Sequence, residues 1–198
     1  MQYKKICMFG IFSLLTISLN LQAEELLKRR NIEPDLTCEN GPTKIKDQSE
    51  LNLVFGDYSE EDGNLKIISK KPLKIHVYAE VFKGDHPDVI DHLVKKALLS
   101  NTYRVFAFSD IDKITVISSA KETNLINKTK IELKSPKYTI TKSRDQALAD
   151  LRKFTDAKSF NDLFEKHQVC LFSTTFKQFL YDDQGGIGIT KFFDQVKK

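Results

Sequence analysis

A short stretch that begins at Asp85 holds the residues best suited to chemistry. Asp88 and His92 are four residues apart, so on a helix their side chains lie on the same face. A carboxylate and an imidazole placed in this way can both bind one divalent metal ion. His76 and Glu80 lie on the outward face of the strand expected before this helix and are further candidate ligands. One hypothesis for the chain is therefore a small metal-assisted hydrolase.

The same acidic residues have a simpler interpretation as part of a helix start. Asp85 can cap the helix, and Pro87 suits its first turn. Asp88 and Asp91 then complement the positive end of the helix dipole, while His92 lies on a solvated face. The chain has no His-Glu-x-x-His motif or comparable zinc spacing, so the interpretation without a metal is favoured and no cofactor is expected.

The N-terminal residues 1–23 have the layout of a secretory signal peptide. Lys4 and Lys5 precede an apolar run at 6–19, and Ala23 suits the position before the cleavage site. A membrane-spanning helix needs about twenty predominantly apolar residues, and this run is shorter and contains hydroxyl side chains. We therefore expect cleavage near Ala23 and no stable membrane insertion afterwards. The product is a single periplasmic or secreted domain at 24–198, with a partly ordered lead-in at 24–48.

Cys38 and Cys170 are the two cysteines outside this leader. In an oxidising compartment such a pair is most simply a disulfide, which would fasten the N-terminal segment to the C-terminal helices. The alternative is that both are buried free thiols. A redox-active pair is disfavoured because the two cysteines are far apart in sequence and no Cys-x-x-Cys motif is present.

The composition argues against nucleic-acid binding. The formal net charge is +4, and removal of the leader takes two lysines away. Acidic residues and lysines are interleaved along the remaining chain and form no clustered basic stripe. Both methionines also leave with the leader and the chain has no tryptophan, so the phenylalanines that remain, 12 of the chain's 14, predict a Phe-rich core.

The clearest strand is predicted at 73–82. Its odd-numbered residues are all apolar, whereas its even-numbered residues are mostly polar, so helices must cover one side of the sheet. Tyr78 and Phe82 are aromatic residues on the outward face. They are therefore candidates for a surface that contacts another protein.

Further short strands follow from apolar runs and turn residues. They are predicted at 51–55, 65–68, 114–117, 129–134 and 138–141. The first two are expected to pair as a hairpin across an acidic loop, and the last two as a hairpin across Ser135 and Pro136. The lysines of the second hairpin suit a solvated sheet edge.

Helices are predicted between the strands and at the C-terminal end. The first covers 87–100, and periodicity does not decide whether 103–108 extends it or starts a strand. Ser143 and Gln146 have the spacing of a capping box. Ser159 and Ser173 can begin further helices, and a last helix is predicted at 191–196.

This order of elements favours an α+β domain. We expect an antiparallel or mixed sheet of about five strands, covered mainly on one face by helices, with a C-terminal helical cluster. A parallel doubly wound sheet is the alternative. Because no catalytic motif is legible, the favoured function is non-catalytic binding of an envelope or secreted protein, as a secretion accessory or an inhibitor would perform. The hydrolase built on Asp88 and His92 is the second hypothesis.

Overall fold

Four strands within the described residues form one mixed sheet. The computed structural model describes residues 36–45, 47, 50–127, 129–181 and 186–198. The strands are adjacent in chain order: β1 (Leu65–Lys70), β2 (Leu73–Phe82), β3 (Lys113–Thr123) and β4 (Lys130–Ser143). β2 and β3 are parallel, whereas both outer pairs are antiparallel. The predicted leader, its cleavage site and lead-in residues 24–35, 46 and 48 lie outside the described residues.

Two helices belong to the N-terminal half of the domain. α1 (Leu51–Val54) precedes the sheet, and α2 (Pro87–Phe108) joins the parallel strands β2 and β3. The odd-numbered residues of β2 are buried beneath α2, and the hydroxyl of Ser118 in β3 donates a hydrogen bond to the carbonyl of Val94 in α2 at 2.8 Å. The apolar alternation of β2 therefore identifies the covered side of the sheet, as predicted.

The residues that start α2 differ in one detail from the prediction. His86 is the capping residue, and its Nδ1 accepts a hydrogen bond from the Asp88 amide at 3.4 Å. Asp85, the predicted cap, instead accepts a hydrogen bond from the Phe82 amide and closes the turn before the helix. At its other end, α2 continues through 103–108, because this apolar run packs on both the sheet and the C-terminal helices.

The C-terminal part of the chain is helical. α3 (Arg144–Arg152) starts at the predicted capping box of Ser143 and Gln146. A 3-10 helix (Phe160–Leu163) follows, capped by Ser159, and then α4 (Thr174–Lys177), capped by Ser173. α5 (Gly188–Lys197) buries Phe192 and Phe193. Its neighbours in the core include many further phenylalanines, so the predicted Phe-rich core is confirmed.

The α+β class, the mixed sheet and the helical cover are confirmed, but one predicted strand and one predicted turn are wrong. Residues 51–55 contain helix α1, because Leu51 and Val54 are buried at helical spacing rather than in alternation. The second predicted hairpin is one strand, β4. Residues 133–136 lie opposite the single residue Ala120, so a large irregularity in β4 takes the place of the expected turn. The described residues thus hold four strands, close to the expected number of about five.

Residues 36–198 form one compact unit. Within the described part of this unit, no helix is long and apolar enough to cross a membrane. Cys38 and Cys170 are joined by a disulfide, with their Cα atoms 5.1 Å apart. The predicted bridge is therefore present, and the alternative of two free thiols is excluded.

Candidate binding groove

The candidate metal ligands do not converge in the structure. Asp88 lies in the exposed first turn of α2, where its carboxylate is 3.4 Å from Nδ1 of His86. His92 lies one turn further along, with its ring 5.9 Å from that of Tyr181. His76 projects from the sheet face opposite α2 and is bonded there to Ser119. Among the described residues, no group of three His, Cys, Asp or Glu side chains is placed to hold a metal ion.

His76, Ser119 and Glu132 form a hydrogen-bonded cluster across β2, β3 and β4. Nε2 of His76 is 2.8 Å from Oγ of Ser119, and that hydroxyl donates to the Glu132 carboxylate at 3.1 Å. The serine lies between histidine and acid, whereas nucleophilic catalysis needs the histidine between serine and acid. Ser119 is also fully buried, so a substrate cannot reach it. The cluster joins three strands and is not a catalytic triad.

This cluster gives the protein a predictable response to acid. Burial lowers the pKa of His76 from 6.5 to about 4, and the attraction of Glu132 offsets only part of that effect. The unfolded chain therefore binds a proton near pH 6.5, while the folded chain binds it only near pH 4. The neutral ring of His76 makes its full contribution to the free energy of unfolding above about pH 6.5. This contribution, on the order of 3 kcal/mol, is lost as the pH falls towards 4.

The His76→Gln variant tests this response. Between about pH 7 and about pH 4.5, the free energy of unfolding of the wild type should fall by about 2 to 3 kcal/mol more than that of the variant. Urea denaturation of both proteins at the two pH values measures the difference. Titrating groups that do not interact with His76 act equally in both proteins and cancel. Equal losses in the two proteins would show that His76 does not carry the effect.

The two aromatic residues proposed as an interaction surface have different environments. Tyr78 is only 8% exposed, because the ammonium group of Lys121 lies 3.7 Å from the centre of its ring. Phe82 is 43% exposed at the end of β2. The expectation that both are exposed is therefore wrong for Tyr78, whose ring lies 4.0 Å from that of His76 and whose part of the β2 edge borders a groove.

This groove, called the α2 groove below, lies along one side of α2 and has a volume of about 770 Å³. Its floor is one face of the helix, formed by Leu93, Lys96, Ser100 and Arg104 at spacings of three and four residues. From Leu93 to Arg104 the helix rises about 16 Å at 1.5 Å per residue. An extended polypeptide of about five residues has the same length.

The disulfide holds one wall of the α2 groove. Cys170 lies in this wall between Val169 and Leu171, whose side chains are 61% and 46% exposed. Leu36, near the other half of the bridge, lies in the same wall, and its carbonyl oxygen is 3.3 Å from Sγ of Cys170. Large exposed apolar side chains next to a groove are typical of a surface that contacts another molecule.

The opposite side of the α2 groove is formed by the end of β2 and the loop after α1. β1 begins opposite Val77, so β2 extends beyond its neighbour from Tyr78 onward. The Tyr78 amide still donates to the Asn64 carbonyl, and Phe82 is bonded to the turn at Asp85. Between Tyr78 and Phe82, no described strand pairs with Glu80 on the β1 side of β2. An added chain can therefore pair with the edge of β2 at this point.

Arg104 is the most unusual group in the α2 groove. Its Nε donates to the Val54 carbonyl at 2.6 Å, and its guanidinium lies 5.2 Å from the ring centre of Phe108 and 5.9 Å from that of Phe172. Gly56, at φ +63°, passes close by, and a Cβ there would lie 3.4 Å from the guanidinium. Burial lowers the pKa of Arg104, against the attraction of Asp57. The side chain remains a cation at neutral pH, because arginine has so high an intrinsic pKa.

Two further polar residues face the same space. The ammonium group of Lys96 donates to the Tyr181 hydroxyl at 2.5 Å and lies over its ring. Asn101 is fully buried, and its Nδ2 donates to the Ala97 carbonyl at 2.8 Å, but its Oδ1 has no hydrogen-bond partner among the described residues. Buried polar atoms are usually satisfied, so this oxygen is available to a donor that enters the groove.

The sequence contained one signal for this site that pattern reasoning passed over. Arg104 is the only charged residue in the otherwise apolar stretch 103–108. Burial of a charge is costly unless it is hydrogen-bonded or paired, so a single cation in a buried run indicates a specific role. The opposite wall had no such signal, because its residues come from distant parts of the chain.

The chain matches no protein-family model, no curated protein and no solved structure with which it was compared. Any statement about function therefore rests on the fold and the α2 groove alone.

Proposed function

We propose that the protein is a non-catalytic binding protein of the cell envelope, whose α2 groove holds an extended segment of a partner polypeptide. The observation that carries the proposal is the groove itself: an elongated cleft with exposed apolar side chains on one wall and an open strand edge on the other. Apolar pockets give such a segment its side-chain contacts, and a strand edge gives it main-chain hydrogen bonds. The location in the envelope is supported by the N-terminal leader pattern and by a disulfide, which persists in oxidising compartments.

The polar content of the groove favours a polypeptide over a purely apolar ligand. Among the described residues that line it, Oδ1 of Asn101 and the two terminal nitrogens of Arg104 have no hydrogen-bond partner. A polypeptide carries an amide and a carbonyl at each residue and can satisfy such groups, whereas a hydrocarbon chain would leave them without partners.

A charge placed in the disulfide-held wall tests the proposal. Leu171→Glu should weaken binding of the partner at least about tenfold, because it puts an unpaired carboxylate in an apolar contact. Affinity purification from the native envelope, with each variant as bait and mass spectrometry as readout, compares the amount of partner retained. The fold should tolerate the change, since the side chain is half exposed already.

Ile68→Glu is the matched control, because Ile68 is an apolar residue of β1 with almost the same exposure, 44%, and lies outside the α2 groove. It should retain the partner at the wild-type level. A third variant, Phe82→Ser, tests the hypothesis from the sequence that the end of β2 contacts the partner. Retention of the same partner by Leu171→Glu and by the wild type would refute the proposed use of the groove.

A further inference from the structure

The end of the α2 groove at Arg104 is closed. The next residue on this face of α2 is Phe108, which is fully buried and packs against the ring of Phe164 at 5.0 Å. A polypeptide lying in the groove therefore meets the guanidinium at the point where the groove ends. It can continue no further along the helix in that direction.

The guanidinium at this end is held in place but has unused hydrogen-bonding capacity. A guanidinium has five N–H donors, and the interaction with Val54 uses only the one on Nε. No carboxylate of the described residues lies within ion-pair distance of Arg104, and Asp57 acts on it only at longer range. The aromatic rings beneath it and the hydrogen bond to Val54 fix its orientation. Little conformational freedom is thus lost when an anion binds to it.

We propose that Arg104 binds the C-terminal carboxylate of the partner segment, so that the α2 groove recognises the free end of a polypeptide. This inference rests on the proposed function and specifies its ligand. A carboxylate can accept two parallel hydrogen bonds from the two terminal nitrogens of a guanidinium. A chain terminus suits a closed groove, whereas an acidic side chain inside a longer segment would require the chain to continue past Phe108.

The charges around the groove agree with this orientation. Arg104 and Lys96 lie towards the closed end and the middle of the helix face. Of the acidic residues in the lining, Glu80 is bonded to Thr123 and paired with Lys130, and Asp57 lies beyond ion-pair distance of Arg104. A segment whose negative terminus points towards Arg104 is attracted by both cations. The preceding residues then lie against the apolar wall at Val169 and Leu171. Their main chain runs beside β2.

Two peptide mixtures that differ in one group test the inference on the unmodified, oxidised protein. Both contain hexapeptides randomised over Ala, Val, Leu, Ser and Thr, one with a free C-terminal carboxylate and the other with a C-terminal carboxamide. We expect the free acids to bind about tenfold or more tightly than the amides, because a charge-assisted pair is lost in the amide. Competition binding measures the ratio, and the ¹H–¹⁵N signal of the Arg104 side chain should shift only with the acids.

Variants then assign the preference to one residue. Arg104→Gln should reduce the acid-to-amide ratio to about one, and Arg104→Lys should give an intermediate ratio because it keeps the charge but not the paired donors. Lys153→Gln is the control, since Lys153 lies outside the groove and its ammonium group is 3.7 Å from the carboxylate of Asp150. It should leave the ratio unchanged. If Arg104→Gln does not fold, the comparison of acid and amide on the wild type still decides the question.

The remaining outcomes separate this inference from the proposed function. Equal binding of acids and amides would overturn the role of Arg104 and leave the groove as a polypeptide site. Failure of both mixtures to bind, with partner capture still abolished by Leu171→Glu, would also overturn the inference alone. Binding of dodecanoate in an Arg104-dependent manner, with no binding of either mixture, would show a lipid site and overturn both.

Discussion

Replacement of Cys38 and Cys170 by serine is expected to lower the free energy of unfolding by about 4 to 5 kcal/mol. The two residues are 132 positions apart, so the bridge restricts nearly the whole unfolded chain that follows Cys38. In the chain-entropy model, a closed loop of that length contributes about 5 kcal/mol at 25 °C, and strain or residual structure reduces this value. Guanidinium denaturation of the double variant and of the oxidised wild type measures the difference.

Loss of the bridge should also weaken binding, for a local reason. Cys170 lies in the wall of the α2 groove, and the Cys38 amide donates to the carbonyl of His167 in the same segment. Without the bridge, this hydrogen bond and the contact with Leu36 still join the segment of Cys170 to that of Cys38, but the covalent link between the two segments is lost. The reduced wild type should reproduce both effects. An unchanged denaturation midpoint in the double variant would show that the bridge contributes no net stability.

The parts of the fold that were predictable are those in which local pattern and tertiary contact agree. The alternation in β2 predicted both its bounds and its buried face, because one side of this strand lies under a helix. The capping box at Ser143 predicted the start of α3, because such caps are satisfied within four residues. The disulfide was predictable because two cysteines lie outside the leader and the expected compartment is oxidising. These features needed no knowledge of distant residues.

The misassigned elements depend on partners that the sequence does not reveal. The apolar residues at 51–55 fit a strand, but α1 packs against α2 and its burial follows the helical spacing of Leu51 and Val54. Ser135 and Pro136 resemble a turn, yet β4 resumes pairing with β3 at Lys137 after an irregular segment. In both cases a tertiary contact outweighs the local signal.

The α2 groove was hidden for the same reason. Only the spacing of its helical floor is local, and that pattern assigns Lys96 to the solvent side without showing that Tyr181 approaches it. The second wall is brought to α2 by the disulfide, so even a correct pairing of the cysteines does not predict the cleft between them. The environment that orients Arg104 is formed by Phe172 and Val54, which are distant from it in sequence.

Phe192→Ala is expected to lower the free energy of unfolding by about 3 to 5 kcal/mol. The residue is fully buried in α5, and its ring lies 4.5 Å from that of Phe179 and 5.6 Å from that of Tyr103. Removal of the ring loses the burial of its apolar surface and leaves a cavity among other rings, which cannot close it without moving their own backbones. Thermal or urea denaturation followed by circular dichroism measures the loss.

Phe82→Ala is the matched control for this substitution, because the same atoms are removed from a side chain that is already 43% exposed. It should cost about 1 kcal/mol or less. Phe192→Leu should recover most of the loss, since it refills much of the space. Neither Phe192 nor its ring neighbours Tyr103 and Phe179 line the α2 groove, so the folded fraction of Phe192→Ala should still bind the partner with unchanged affinity. A similar loss of stability at Phe82 and Phe192 would contradict the assignment of the C-terminal phenylalanines to the core. The reason for treating the α2 groove as separate from the core would then also be lost.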